Sequence, residues 1–143
     1  MAVERRQTMY PFAEMIEVET NGTTAVSFFP IPANTIIEKV LCKVKTASTN
    51  AVNLTIGDED DADGFIVASA ANSANAVYGD SVDEIGAYLK EQVSDSGSAT
   101  HNQPIPGGKL YTADKNMKIV LSGAAGSQEA VVQVFVKGLK YAN

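Results

Sequence analysis

Apolar and polar residues alternate along much of this chain, most clearly over residues 30–64. Between residues 36 and 46, Ile36, Val40, Cys42 and Val44 fall on one set of alternate positions and Lys39, Lys43 and Lys45 on the other. That is the period of a strand with one wet face. Val52, Leu54 and Ile56 repeat it. A turn over residues 46–50 would set Val44 opposite Val52, Cys42 opposite Leu54 and Val40 opposite Ile56. This register predicts a β-hairpin of residues 36–46 with 50–57, its six apolar side chains buried on one face.

A second hairpin is predicted where Asn21-Gly22 separates alternating runs over residues 14–20 and 24–29. Pairing Val18 with Val26 and Ile16 with Phe28 keeps apolar opposite apolar, and it requires one bulged loop residue that a left-handed glycine supplies. Pro30 and Pro32 stop the run. Short strands follow over 65–68, 76–78 and 85–89, with a helix over 83–93 as the competing reading, weakened by Gly86 in its interior. HNQPIPGG at residues 101–108 reads as a loop. Strands over 109–112, 117–121 and 130–137 complete the set, the last two paired across the Gly-rich 122–128. Val131, Val132, Val134, Phe135 and Val136 make the final strand apolar on both faces, which predicts a central position or an outer face covered by another subunit. Eight or so short strands and few helix signals predict an all-β protein: an antiparallel sandwich or closed barrel.

The length of 143 residues fits a single domain able to bury about 68% of the surface exposed by its unfolded chain. Residues 14–143 are expected to form it, after an N-terminal stretch over residues 1–13 that reads as an extended arm, with a disordered terminus as the alternative. The arm joins Arg5 and Arg6 to Tyr10 and Phe12, residue types suited to anchoring at an interface. No apolar run approaches 18 residues and the start MAVERRQTMYPF has no secretory pattern, so neither a membrane partner nor export is expected, and synthesis is placed in the cytoplasm. A net charge of −6 without a basic stripe argues against nucleic acid.

Candidate chemistry is sparse. Cys42 is the single cysteine and lies on the apolar side of its strand, which marks a core residue. His101 is the single histidine, with no Cys or His beside it to complete a metal site, and no Gly-x-Ser-x-Gly elbow nominates a nucleophile. No catalytic residue and no cofactor is therefore expected. Residues 58–64, DEDDADG, hold five of the seventeen acidic side chains. Aligning Gly64 with the invariant glycine of a calcium loop nominates Glu59, Asp61 and Asp63 as ligands, but the final Glu becomes Ala70. The favoured reading is a solvated turn whose aspartates bond their own backbone.

The order IPANTIIEKVLCKV, LTIGDEDDADGFIVA, a small-residue stretch with GAYL, and the closing EAVVQVFVKG resembles small bacteriophage structural proteins of the head decoration, or cement, type. The resemblance covers residues 28–138. It implies a jelly-roll-like sandwich on the capsid exterior of a virion, with the major capsid protein and further copies of itself, as a trimer or dimer, for partners. It implies a mechanical function, in which binding over junctions of capsid subunits opposes rupture. A different class, a carbohydrate- or receptor-binding jelly roll of a fibre or tail with Tyr78 and Tyr88 as its platform, is the alternative.

Overall fold

The computed structural model describes residues 8–94, 97 and 99–141. Eleven strands follow in chain order: β1 (Met9–Glu19), β2 (Val26–Ile31), β3 (Thr35–Thr46), β4 (Asn53–Gly57), β5 (Ile66–Ala70), β6 (Val77–Tyr78), β7 (Lys90–Ser94), β8 (Thr100–Pro104), β9 (Lys109–Tyr111), β10 (Lys115–Leu121) and β11 (Val131–Tyr141). One sheet has the order β1-β11-β3-β6, with β9 also on β3, and the other the order β2-β10-β4-β5. Each of β2 to β4 lies in the other sheet from its predecessor, as do β10 and β11 relative to β9 and β10. This antiparallel alternation is the connectivity of a jelly roll, and the two four-strand paths account for the expected eight strands. The additional β7 and β8 pair with each other as a separate ribbon.

Alternation then fills the space between the sheets. Val40, Cys42 and Val44 of β3 and Val132, Val134 and Val136 of β11 enclose one core with Leu54 and Ile56 of β4 and Met117, Ile119 and Leu121 of β10. β11 is central, paired with β1 on one edge and β3 on the other, as its two apolar faces predict.

Both expected hairpins are corrected. The side chains of Val40, Cys42, Val44, Leu54 and Ile56 are buried and Val52 is half-buried, but β3 and β4 lie in different sheets. Cys42 stands opposite Val134, and Leu54 opposite Leu121. Alternation fixes which face is dry and says nothing about the neighbouring strand. The linker is tied elsewhere: Ser48 N donates to Ala71 O at 3.1 Å and Asn50 N to Ala125 O at 2.8 Å, making a corner between sheets.

Asn21-Gly22 does turn, with Thr24 N donating to Asn21 O at 2.9 Å and Gly22 at φ 53°. Its flanking strands separate: Val18 pairs with Val132 and Val26 with Ile119. The turn is stitched to both sheets, since Thr20 N donates to Ala130 O at 2.9 Å and Leu121 N donates to Gly22 O at 3.0 Å. β10 and β11 likewise belong to different sheets and do not pair across residues 122–130.

Four smaller expectations also change. A bulge in β3 skips Glu38 between the pairs Lys137–Lys39 and Gly138–Ile37, so Ile37 is buried in place of Ile36. Neither the strand expected over 85–89 nor the competing helix occurs among the described residues: Ile85 makes an isolated bridge to Ile66. The first residues of the expected loop at 101–108 form β8. Of the expected arm, Met9 to Ala13 are the paired start of β1, and residues 1–7 lie outside the described residues.

Candidate functional site

The acidic turn after β4 encloses a buried carboxylate. Asp58 is only 4% exposed, with Oδ1 accepting from the backbone N of Asp60 and Asp61 at 2.9 and 3.0 Å and from the Tyr88 hydroxyl at 2.9 Å. The Tyr111 hydroxyl donates to Oδ2 at 2.7 Å. Burial alone would raise the Asp58 pKa, but these four donors hold it below the usual carboxylate range. Burial and the adjacent carboxylate push both tyrosines up. Phe65 packs edge-on to Tyr88 with centroids 5.3 Å apart, and Lys109 Nζ lies 4.5 Å from the Tyr88 centroid. Gly64 permits this packing, because a Cβ there would run into the Tyr88 ring.

Of the three candidate calcium ligands, Glu59 is turned to Asn116, while Asp61 and Asp63 lie side by side. Glu59 accepts from Asn116 N and Nδ2 at 3.1 Å each, whereas Asp61 Oδ1 accepts from Asp63 N at 3.4 Å. The Asp63 carboxyl beside it, together with burial, raises the Asp61 pKa. Asp60 is paired with Lys115 at 3.0 Å. Among the described residues no group of three or more His, Cys, Asp or Glu side chains could hold a metal ion. The turn does satisfy its own backbone, but Asp58 has left water, contrary to the expectation of a wholly solvated loop.

Of the four interface candidates, Tyr10 and Phe12 both lie on β1. Arg5 and Arg6 lie outside the described residues. Tyr10 is 52% exposed on β1. Phe12 stacks on Phe29 with centroids 6.1 Å apart, carries Lys140 Nζ 5.0 Å from its centroid, and lines a cleft of about 420 Å³ between the edges β1 and β2. His101 is exposed on β8. Tyr78 and Tyr88 do not form an open platform: both are half-buried against the core, and Tyr78 donates its hydroxyl to Ala70 O at 2.8 Å.

A surface absent from the sequence-derived candidates lies on the outer face of the β1-β11-β3 sheet. Register sets Met15 opposite Phe135 and Phe135 opposite Leu41, an apolar row across three strands. Met15 and Phe135 are 52% and 41% exposed. On one side the next row is Ala13, Lys137 and Lys39; on the other it is Glu17, Gln133, Lys43 and Val77. The signal was present in the two-faced apolar character of β11, but the row became readable only with the partners of Phe135 assigned.

No protein-family model matches this chain, and no curated protein matches it. Among solved structures, the fold is similar to a chain of the Cyanophage Pam1 capsid asymmetric unit, with 20% identity over 97% of this chain and 91% of that one and a TM-score of 0.55. A chain of the acidic stable capsid structure of Helicobacter pylori bacteriophage KHP30 matches with 12% identity over 96% of this chain and 99% of that one, at a TM-score of 0.48. At these identities the likeness is one of fold.

Proposed function

We propose that this chain is a non-enzymatic structural protein of a phage virion, which decorates the capsid exterior by binding as a homo-oligomer over junctions between major capsid subunits. The observation that carries the reading is the fold likeness to a Pam1 capsid chain, which runs over nearly the whole of both chains. The chemistry of the fold is consistent with it. The Cys42 thiol is buried, with its pKa pushed up by burial to about 12, and the Asp58 carboxylate is saturated by four donors, so both serve packing. Function then rests on surfaces: the outer face of the β1-β11-β3 sheet and the N-terminal segment carrying Arg5 and Arg6, with exposed Tyr10 just beyond it.

Each contact to a shell can be modest. Several copies held in one oligomer raise avidity by roughly 10²-fold or more when their spacing matches the lattice. The test mixes purified undecorated capsids with the full chain and with a chain lacking residues 1–7, which leaves β1 intact, and measures co-sedimentation. Saturable binding of the full chain supports the reading, and absence of binding overturns it. Equal binding of the two chains removes only the N-terminal segment from the grip.

A further inference from the structure

Resting on that reading, we infer that the outer face of the β1-β11-β3 sheet is the surface that docks on the capsid, and that its partner there is an apolar patch rimmed by acidic side chains on the major capsid protein. Met15, Leu41 and Phe135 form one cross-strand row and line an open groove of about 320 Å³ with Ala13, Lys39 and Lys137. Large apolar side chains contiguous across three strands, with two of them about half exposed, are the pattern of an interface centre.

Charge identifies the occupant. The chain carries −6 overall, yet Lys39, Lys43, Lys45 and Lys137 project from this face; its acids are Glu17 and Glu19 on β1, with Glu14 at the groove edge 3.7 Å from Lys140. Glu17 answers Lys45 at 2.7 Å, and Asp80 lies 3.9 Å from Lys39. Lys137 stands directly opposite Lys39 on the neighbouring strand, a like-charge pair that is unfavourable on an isolated sheet. An acidic rim on the partner relieves that repulsion and steers the encounter. A second copy docked through the same face about a two-fold axis along the strands would instead set the Lys39 and Lys137 rows of the two copies against each other, and the oligomer mass measured below tests contact between copies about any other axis.

Two variants test this without touching the core: Met15→Ser with Phe135→Ser, and Lys39→Glu with Lys137→Glu. Each is compared with the unaltered chain for co-sedimentation with undecorated capsids over a range of salt, and for oligomer mass and melting temperature. The expected result is at least tenfold weaker binding for each variant, a flatter salt dependence for the charge variant, and unchanged melting and oligomer mass. If the unaltered chain binds and both variants bind equally well, the docking face is wrong while the decoration reading stands. A change in oligomer mass with capsid binding intact overturns the inference by making this face a contact between copies. Failure of the unaltered chain to bind defeats the decoration reading, and the inference with it.

Discussion

The Tyr111 hydroxyl donates a 2.7 Å hydrogen bond to Asp58 Oδ2, tying β9 to the turn after β4 across 53 positions of sequence. Both residues are about 4% exposed. Removing the hydroxyl leaves a buried carboxylate short of a donor, so Tyr111→Phe should destabilise the fold by about 1.5–3 kcal/mol, the range for hydrogen bonds to charged groups. Tyr88→Phe should cost less, because Tyr88 is only half-buried and water can replace its hydroxyl. Urea denaturation of the two variants measures both losses, and equal stability of Tyr111→Phe and the unaltered chain would contradict the assignment.

The same cluster sets a pH profile. Asp58 has its pKa lowered from 3.8 in the fold, so its contribution is present above that ordinary value and is lost as pH falls through the lower folded value. Tyr88 and Tyr111 have theirs raised from 10.0, so their contribution is present below that value and is lost as pH rises through the folded ones. Stability should therefore be level between about pH 5 and 9 and fall at both ends. Asp58→Asn should be less stable at neutral pH and show a shallower acid limb, which melting curves across pH will reveal.

Gly22 holds φ 53° in the turn between β1 and β2, and its backbone N donates to Glu129 Oε2 at 3.0 Å. A β-branched residue resists this conformation, so Gly22→Val should destabilise by about 1–2 kcal/mol. Glu129 Oε2 also accepts from the Thr20 hydroxyl at 2.8 Å, and Glu129→Ala should loosen the same junction. Thermal melting of both variants checks the effect, and a Gly22→Val chain as stable as the original would refute the requirement.

Cys42 is fully buried and its thiol pKa is pushed up to about 12. Because the thiolate is the reactive form, the native protein should resist a thiol reagent at pH 8 and react stoichiometrically once unfolded. Rapid labelling of native protein would show that the core around β3 opens readily.

What the sequence made legible was faces, not neighbours. Cys42, Val44 and Leu54 are buried as their spacing predicts, yet the pattern is the same whether β3 pairs with β4 in a hairpin or with β11 across most of the chain. Here β1 and β2, like β3 and β4, lie in opposite sheets although adjacent in sequence, so local turn chemistry at Asn21-Gly22 marks a corner that resembles a hairpin. Asp58 was hidden for a related reason: five acids in a run read as solvated, and only the distant Tyr88 and Tyr111 distinguish the first of them. The row of Met15, Leu41 and Phe135 draws on three strands, so no single stretch displays it.

The proposed decoration would reinforce a shell mechanically, and the direct measurement is the temperature at which capsids rupture, followed by release of packaged genome, with and without saturating full-length protein. The account predicts a rise in rupture temperature that tracks occupancy and disappears with the Met15→Ser and Phe135→Ser chain. Saturated shells that rupture at the temperature of bare shells would contradict it.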